Sequence, residues 1–164
     1  MADGIFRILF VCHGNICRSP MAEFVMRSLL EEHGLSDRVS ADSCAVSDEE
    51  LGNPVYPPVR ELLNRKGIDT SGKRARVMRP EDYAGHDLIL VMDASNLRGV
   101  IRLTGGDPDR KVRRLLDFSD RPRDVADPWY TRDFETAYWD VREGCASLIP
   151  YLERKEDIGS CFKN

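Results

Sequence analysis

Long hydrophobic runs are missing from this chain of 164 residues. No apolar stretch approaches the roughly 18 residues that a helix needs to cross a bilayer. The opening MADGIFRILFV has a short apolar run but neither a basic lead-in nor a small-residue cleavage site, so it does not read as a secretory signal. A cytoplasmic protein without membrane attachment is expected. Zinc-type CxxC pairs are also absent. The five cysteines, Cys12, Cys17, Cys44, Cys145 and Cys161, are an odd number, which disfavours a disulfide framework and a structural metal. Near the end, CFKN has a lysine where a prenylation signal needs an aliphatic residue. An excess of positive charge is lacking too: 24 Lys and Arg stand against 28 Asp and Glu, a net charge of −4. That balance argues against a nucleic-acid surface, and the runs GKRAR and DRKVRR read as solvated faces.

What remains is an ordinary globular composition, 41% hydrophobic and 32% charged, without low-complexity segments. A single domain over residues 1–164 is expected, burying roughly two-thirds of its unfolded surface, with a frayed tail from about residue 155 to 164. IFRILFV (5–11) predicts a buried parallel strand. A helix follows from Pro20, with Ala22, Val25, Met26, Leu29 and Leu30 at helical spacing and Gly34 as the stop. RVSADSCAV predicts a second strand, PPVRELLNRKG a helix with Val59, Leu62 and Leu63 inward, and DLILVMD (87–93) another buried strand. ASNLRGVIRL predicts a helix and KVRRLLDF a strand. Phe134 to Leu152 carries helical periodicity, but Pro150 removes a backbone hydrogen bond, so a bend near 146–150 is expected. Alternating strands and helices imply an α/β domain: a parallel sheet with helices on both faces and ligands beyond the carboxyl ends of the strands.

The stretch LFVCHGNICRSPMAE (9–23) turns from strand to helix through such an end. Five residues separate Cys12 from Arg18, and Ser19 and a helix start follow. Successive N–H groups of a tight loop, backed by a helix N-terminus, form an anion cradle. Gly14 and Asn15 are best suited to the left-handed conformations this loop requires. Arg18 adds a planar fork for two phosphate oxygens, and the same field favours the Cys12 thiolate. The whole loop, His13, Gly14, Asn15, Ile16, Cys17 and Ser19, is the expected phosphate-binding element, lying between the first strand and the first helix. It is a nucleophile aimed at phosphorus.

A phosphate ester also needs a proton donor for its leaving oxygen. Two Asp-Pro pairs compete. Asp107 in GGDPDRK sits in an exposed-turn context and is expected to be structural. Asp127 in VADPWYT is followed by Trp129 and Tyr130, which would wall a pocket and keep a carboxylic acid partly desolvated and protonated. Asp127 is therefore the expected general acid. Ser19 either donates its hydroxyl to the Cys12 sulfur or caps the helix, two compatible roles. Cys17 is either a small buried residue or the partner of Cys12 in a reversible, protective disulfide. His13, His33 and His86 show no triad or ligand spacing.

VCHGNICRSPMAE with the downstream DPWY resembles the low-molecular-weight protein tyrosine phosphatases, and the likeness extends through ADSCAVSDEELG, KRAR, LVMDASNL and DFETAY. The resemblance implies a four-stranded parallel sheet, a phosphocysteine intermediate at Cys12, phosphoryl clamping by Arg18, and protonation of the phenol by Asp127, which then activates water. It implies no cofactor and no metal. It also implies that Asn15 and Ser43 hold the loop's shape. Where many relatives read Ser-Asp-Trp or Ser-Asp-Tyr beside the pocket, this chain has Ser47, Asp48 and Glu49, so Glu49 replaces one aromatic wall and should disfavour acidic peptides. Lys73 stands where some relatives have histidine. Ile16 stands where a phosphoarginine-directed branch tends to have threonine, and favours phosphotyrosine.

Expected partners are phosphotyrosine-containing proteins and, in the loop, inorganic phosphate or similar oxyanions; a monomer or weak dimer is expected, with no nucleic acid. An arsenate reductase on the same fold is the alternative enzyme. Its relay of further cysteines is not available, because residues 45 to 144 contain none. A non-catalytic phosphate-binding or thiol redox-sensing module is a third reading, but binding alone has no use for Asp127.

Overall fold

Four parallel strands in the order β2-β1-β3-β4 form the centre of the molecule: β1 Phe6–Cys12, β2 Val39–Ala45, β3 Leu88–Val91 and β4 Val112–Arg114. The computed structural model describes residues 3–163, with side chains through Lys155. Phe6 to Cys12 pair with Val39 to Ala45, and Ile8 to Val11 with Leu88 to Val91. β1 thus has its sequence neighbour β2 on one side and the later β3 on the other. The loop leaving β1 lies at the switch point where an open parallel sheet receives ligands.

Period-two alternation distributes β1 between two cores. Ile8, Phe10 and Cys12 face one side, packed with residues of α1 Arg18–Glu32, α2 Pro57–Arg65 and α6 Phe134–Lys163. Leu9 and Val11 face the other, with Ile89, Val91 and Val100, bordered by Tyr83 of α3 Pro80–Gly85 and Leu97 of α4 Ala94–Leu103. Every β1 residue from Ile8 to Val11 is fully buried. This bears out the α/β sheet covered on both faces, and among the described residues no helix is long and apolar enough to cross a membrane.

Three boundaries differ from expectation, each for a physical reason. α1 begins at Arg18, two residues before Pro20, so the proline lies in the first turn, where its missing N–H has no partner to lose. β4 stops at Arg114 because Asp117 reaches back: Arg114 N–H and Nε–H donate to its two carboxylate oxygens (3.1 and 3.1 Å), closing a short 3-10 turn over Leu115–Phe118. α6 continues through Pro150 to Lys163. Leu148, Ile149 and Leu152, buried around the proline, offset the roughly 3 kcal/mol that its ring and missing donor cost. The helix backbone thus occupies the region expected to fray from about residue 155, while side chains beyond Lys155 and residue Asn164 lie outside the described residues. Two short helices, α3 and α5 Pro128–Thr131, carried too little periodicity to be read.

α6 crosses the 3-10 turn at a buried glycine. A Cβ at Gly144 would fall inside van der Waals distance of Cγ of Leu115, itself fully buried. Helix propensity alone makes Gly→Ala favourable by about 1 kcal/mol. Gly144→Ala should instead lower stability by about 1–3 kcal/mol through overpacking, measured by urea unfolding. A gain would show that Leu115 yields.

Candidate active site

The cysteine loop is shaped by one residue with a left-handed backbone. Asn15 has φ 62°, a conformation that asparagine tolerates better than most residues. Its amide is fully used: Nδ2 donates to Oγ of Ser19 (2.8 Å) and of Ser43 (2.9 Å), while Oδ1 accepts from Arg76 N–H (3.1 Å). Its backbone N–H points at Cys12 Sγ (3.3 Å). Ser43 Oγ thus links the Asn15 amide to the groups behind the loop. Gly14, expected to share the left-handed backbone, does not; its place is fixed by a close approach, because a Cβ there would lie 3.1 Å from Cγ of Glu50.

Beneath the loop runs a chain of charge that the sequence reading passed over. Ser43 Oγ donates to Glu23 (2.6 Å), a carboxylate buried to 1% exposure, which also meets Lys73 Nζ (3.1 Å) and Arg27 (2.8 Å). Lys73 Nζ donates to the Ser43 carbonyl as well (2.9 Å). An acid on the inward face of an apolar helix was the available signal. Its partner lies on a distant loop that periodicity does not reach.

Arg18 is buried to 2% exposure. Nη1 donates to Asp93 (2.7 Å) and to the Val125 carbonyl (2.7 Å), and Nη2 to Asp127 (3.3 Å). Burial alone would make the guanidinium easier to deprotonate; the negative charges at Cys12, Asp127 and Asp93 outweigh it and push its pKa up. Asp93 was missed as a site residue. It follows β3 at the carboxyl edge of the sheet and caps α4, accepting from Asn96 N–H (2.7 Å), so the same carboxylate fixes a helix and the buried guanidinium of Arg18.

Ser19 does not cap α1. The cap position is Cys17, which forms no side-chain cap bond, and Ser19 lies inside the first turn with Oγ 3.0 Å from Cys12 Sγ. First-turn N–H groups have no acceptor within their own helix. Cys12 and Cys17 are both free and buried. Burial, reinforced by the negative charge at Cys12, pushes the Cys17 thiol up to about 12, which separates its chemistry from a nucleophile's.

Asp127 is brought to Arg18 as the cap of α5: one oxygen accepts from Trp129 N–H (3.0 Å), the other from Arg18. The aromatic neighbours do not bury it as expected. Trp129 is 44% and Tyr130 82% exposed, and they form the rim of a cavity whose floor carries Cys12, Arg18 and Asp127. Asp107 is structural, as expected: its carboxylate accepts from Tyr83 OH (2.6 Å), Lys111 N–H (3.0 Å) and Val112 N–H (3.1 Å). His13, Gly14, Ile16, Cys17, Glu49 and Glu50 line the same cavity. Glu49 is paired with His13, Oε2 to Nε2 3.1 Å, a contact across 36 positions that carries no local signal. Among the described residues no group of three or more His, Cys, Asp or Glu is arranged to hold a metal.

A family profile described as low molecular weight phosphotyrosine protein phosphatase matches residues 7–158. The low molecular weight protein-tyrosine-phosphatase YfkJ of Bacillus subtilis is 36% identical over 92% of this chain and 98% of its own. Its crystal structure superposes with a TM-score of 0.89, covering 92% of this chain and 96% of that one. The human low molecular weight phosphotyrosine protein phosphatase is 39% identical over 87% of this chain and 92% of its own. A Drosophila arginine phosphatase shares the architecture at a TM-score of 0.82 and 27% identity, covering 88% of this chain and 96% of that one.

Two outcomes follow from the bracing. Lys73→Met removes one of the two counter-charges that Glu23 has among the described residues and should cost about 1–3 kcal/mol in urea unfolding. Arg76, which holds Asn15 through its N–H, also binds Asp42 (2.8 Å) and Asp82 (2.9 Å) through its guanidinium. Burial tends to raise both carboxylates, but hydrogen bonds from Arg76 outweigh it, so both lie below their ordinary values. A depressed carboxylate stabilises the fold at neutral pH and loses that contribution as pH falls through its folded value. Arg76→Met should therefore flatten the fall in stability between about pH 5 and pH 3, followed by unfolding at each pH.

Proposed function

This chain belongs to the low molecular weight phosphotyrosine protein phosphatase family, and from that premise we propose that it hydrolyses phosphotyrosine in proteins, and small aryl phosphates, with Cys12, Arg18 and Asp127 as catalytic residues. The observation that carries the assignment is the buried Arg18 guanidinium, bonded to Asp127 and lining one cavity with the Cys12 sulfur.

The chemistry divides into two displacements at phosphorus. In the first, the Cys12 thiolate attacks, an S–P bond forms and the P–O bond to the aryl group breaks. The carboxylic acid of Asp127 gives its proton to the departing oxygen, so a phenol leaves rather than a phenoxide. In the second, the Asp127 carboxylate takes a proton from water, the hydroxide oxygen attacks phosphorus and the S–P bond breaks. The returning thiolate is met by Ser19 Oγ and Asn15 N–H, the same groups that face the sulfur at rest. Arg18 and the N–H groups of the loop spread over the equatorial phosphoryl oxygens, where charge is greatest in the transition state. The family is metal-independent, and these fixed donors take the place of a metal ion.

The rim favours a flat aromatic ester. Trp129 is held at 5.0 Å from the Tyr56 ring, and Ile16 gives the floor an apolar side. These features favour phosphotyrosine over phosphoarginine, the substrate named for the Drosophila neighbour. Inorganic phosphate, isosteric with the transferred group, should compete for the loop.

Para-nitrophenyl phosphate should be hydrolysed without added metal and with competitive inhibition by phosphate, and Cys12→Ser should abolish turnover. Asp127→Ala should lower kcat by about 10²- to 10⁴-fold with little change in KM. Steady-state kinetics check both, and wild-type turnover in Asp127→Ala would remove that residue as the acid.

A further inference from the structure

The helix that carries Asp127 is too short to hold itself. α5 has four residues, of which only Pro128 is buried, and a single turn has no stability of its own in water. Something outside it must fix the carboxyl group over the cavity. The residue that closes the helix is Arg132, with φ 60° and its N–H on the Pro128 carbonyl (2.8 Å). That left-handed position is one where glycine or asparagine is usual and an arginine backbone is strained.

The strained arginine is seated among three rings. Its guanidinium carbon lies 5.5 Å from the centroid of Tyr56, 6.0 Å from Trp129 and 5.2 Å from Phe134, and Nη2 donates to Tyr56 OH (2.9 Å). Tyr56 in turn stands against Trp129 and Phe134, at 5.0 and 6.0 Å between centroids, and donates its backbone N–H to the Ile16 carbonyl of the cysteine loop (3.0 Å). The guanidinium therefore connects the far end of the acid's helix to the residue anchored on the nucleophile's loop.

We propose that Arg132 is a positioning residue for general acid catalysis: a cation clasped on Tyr56, Trp129 and Phe134 that holds α5, and with it Asp127, at a fixed height above Cys12. The proposal rests on Asp127 being the proton donor. Arg132 touches neither substrate nor sulfur, and its effect passes through the orientation of the carboxyl group. Its loss must therefore be felt most by esters whose leaving oxygen depends most on a proton.

The test compares kcat/KM for para-nitrophenyl phosphate, whose leaving group departs readily, with phenyl phosphate, whose leaving group does not. Arg132→Gly keeps the backbone N–H and relaxes the left-handed strain, so its melting temperature should equal or exceed that of the wild type. The ratio of the two kcat/KM values should nevertheless rise about three- to fivefold in favour of the nitrophenyl ester, the amount that losing one exposed cation–π clasp carries. Tyr56→Phe, which keeps the ring and removes the acceptor, should move the ratio in the same direction. A purely structural role would lower the melting temperature and leave the ratio alone. An unaltered ratio in both variants, alongside an altered one in Asp127→Ala, would overturn the clasp. An unaltered ratio in Asp127→Ala itself would instead overturn the assignment of the acid on which the clasp rests.

Discussion

A guanidinium cannot shed its proton at any pH the fold survives, so burying Arg18 obliges the protein to surround it with negative groups. That obligation organises the site. Asp93 comes from the end of β3, the Val125 carbonyl and Asp127 from the segment leading into α5, and the sulfur of Cys12 from the end of β1. Segments remote in sequence converge because one cation at the start of α1 requires them. The convergence would then serve chemistry under the proposed function, where the cation that gathers these groups is also the one assigned to the phosphoryl oxygens.

A second constraint works at shorter range. Asn15 adopts a backbone that most residues avoid, and every polar atom of its side chain is occupied in keeping it there. The braces lead outward to Ser43, then to a carboxylate with almost no solvent contact, and finally to Lys73 and Arg27 near the surface. Buried ion pairs of this kind contribute little net stability because desolvation consumes much of the attraction. Their value is geometric: an anion cradle acts only if its donors are aimed before the ligand arrives.

Much of this was legible in the chain because it is local. The strand, the bend with its cysteine and arginine, and the helix after it occupy consecutive residues, and the sheet's two-sided burial shows in IFRILFV. What was not legible depends on pairing across the fold. Asp93 reads as the end of an apolar strand until Arg18 is seen against it, and Glu23 looks like an ordinary helix residue until Lys73 arrives from fifty positions away. Ser19 allowed two readings, and the fold keeps the contact with the Cys12 sulfur while the cap position falls to Cys17. The run of α6 past Leu152 was not legible because the apolar periodicity stops there.

The outer margin of β2 carries a consequence of its own. A sheet ending in a seven-residue strand ordinarily presents a row of open carbonyls on which another polypeptide can build. Here three alternate carbonyls along that margin are already taken: Ala41 by the Arg27 side chain, Ser43 by Lys73, and Ala45 by the backbone of Met78. At the opposite margin β4 is three residues long and bears two arginines. The cations that steady the loop thus also cover the edges of the sheet, which leaves other copies of this chain little template for intermolecular β-sheet growth.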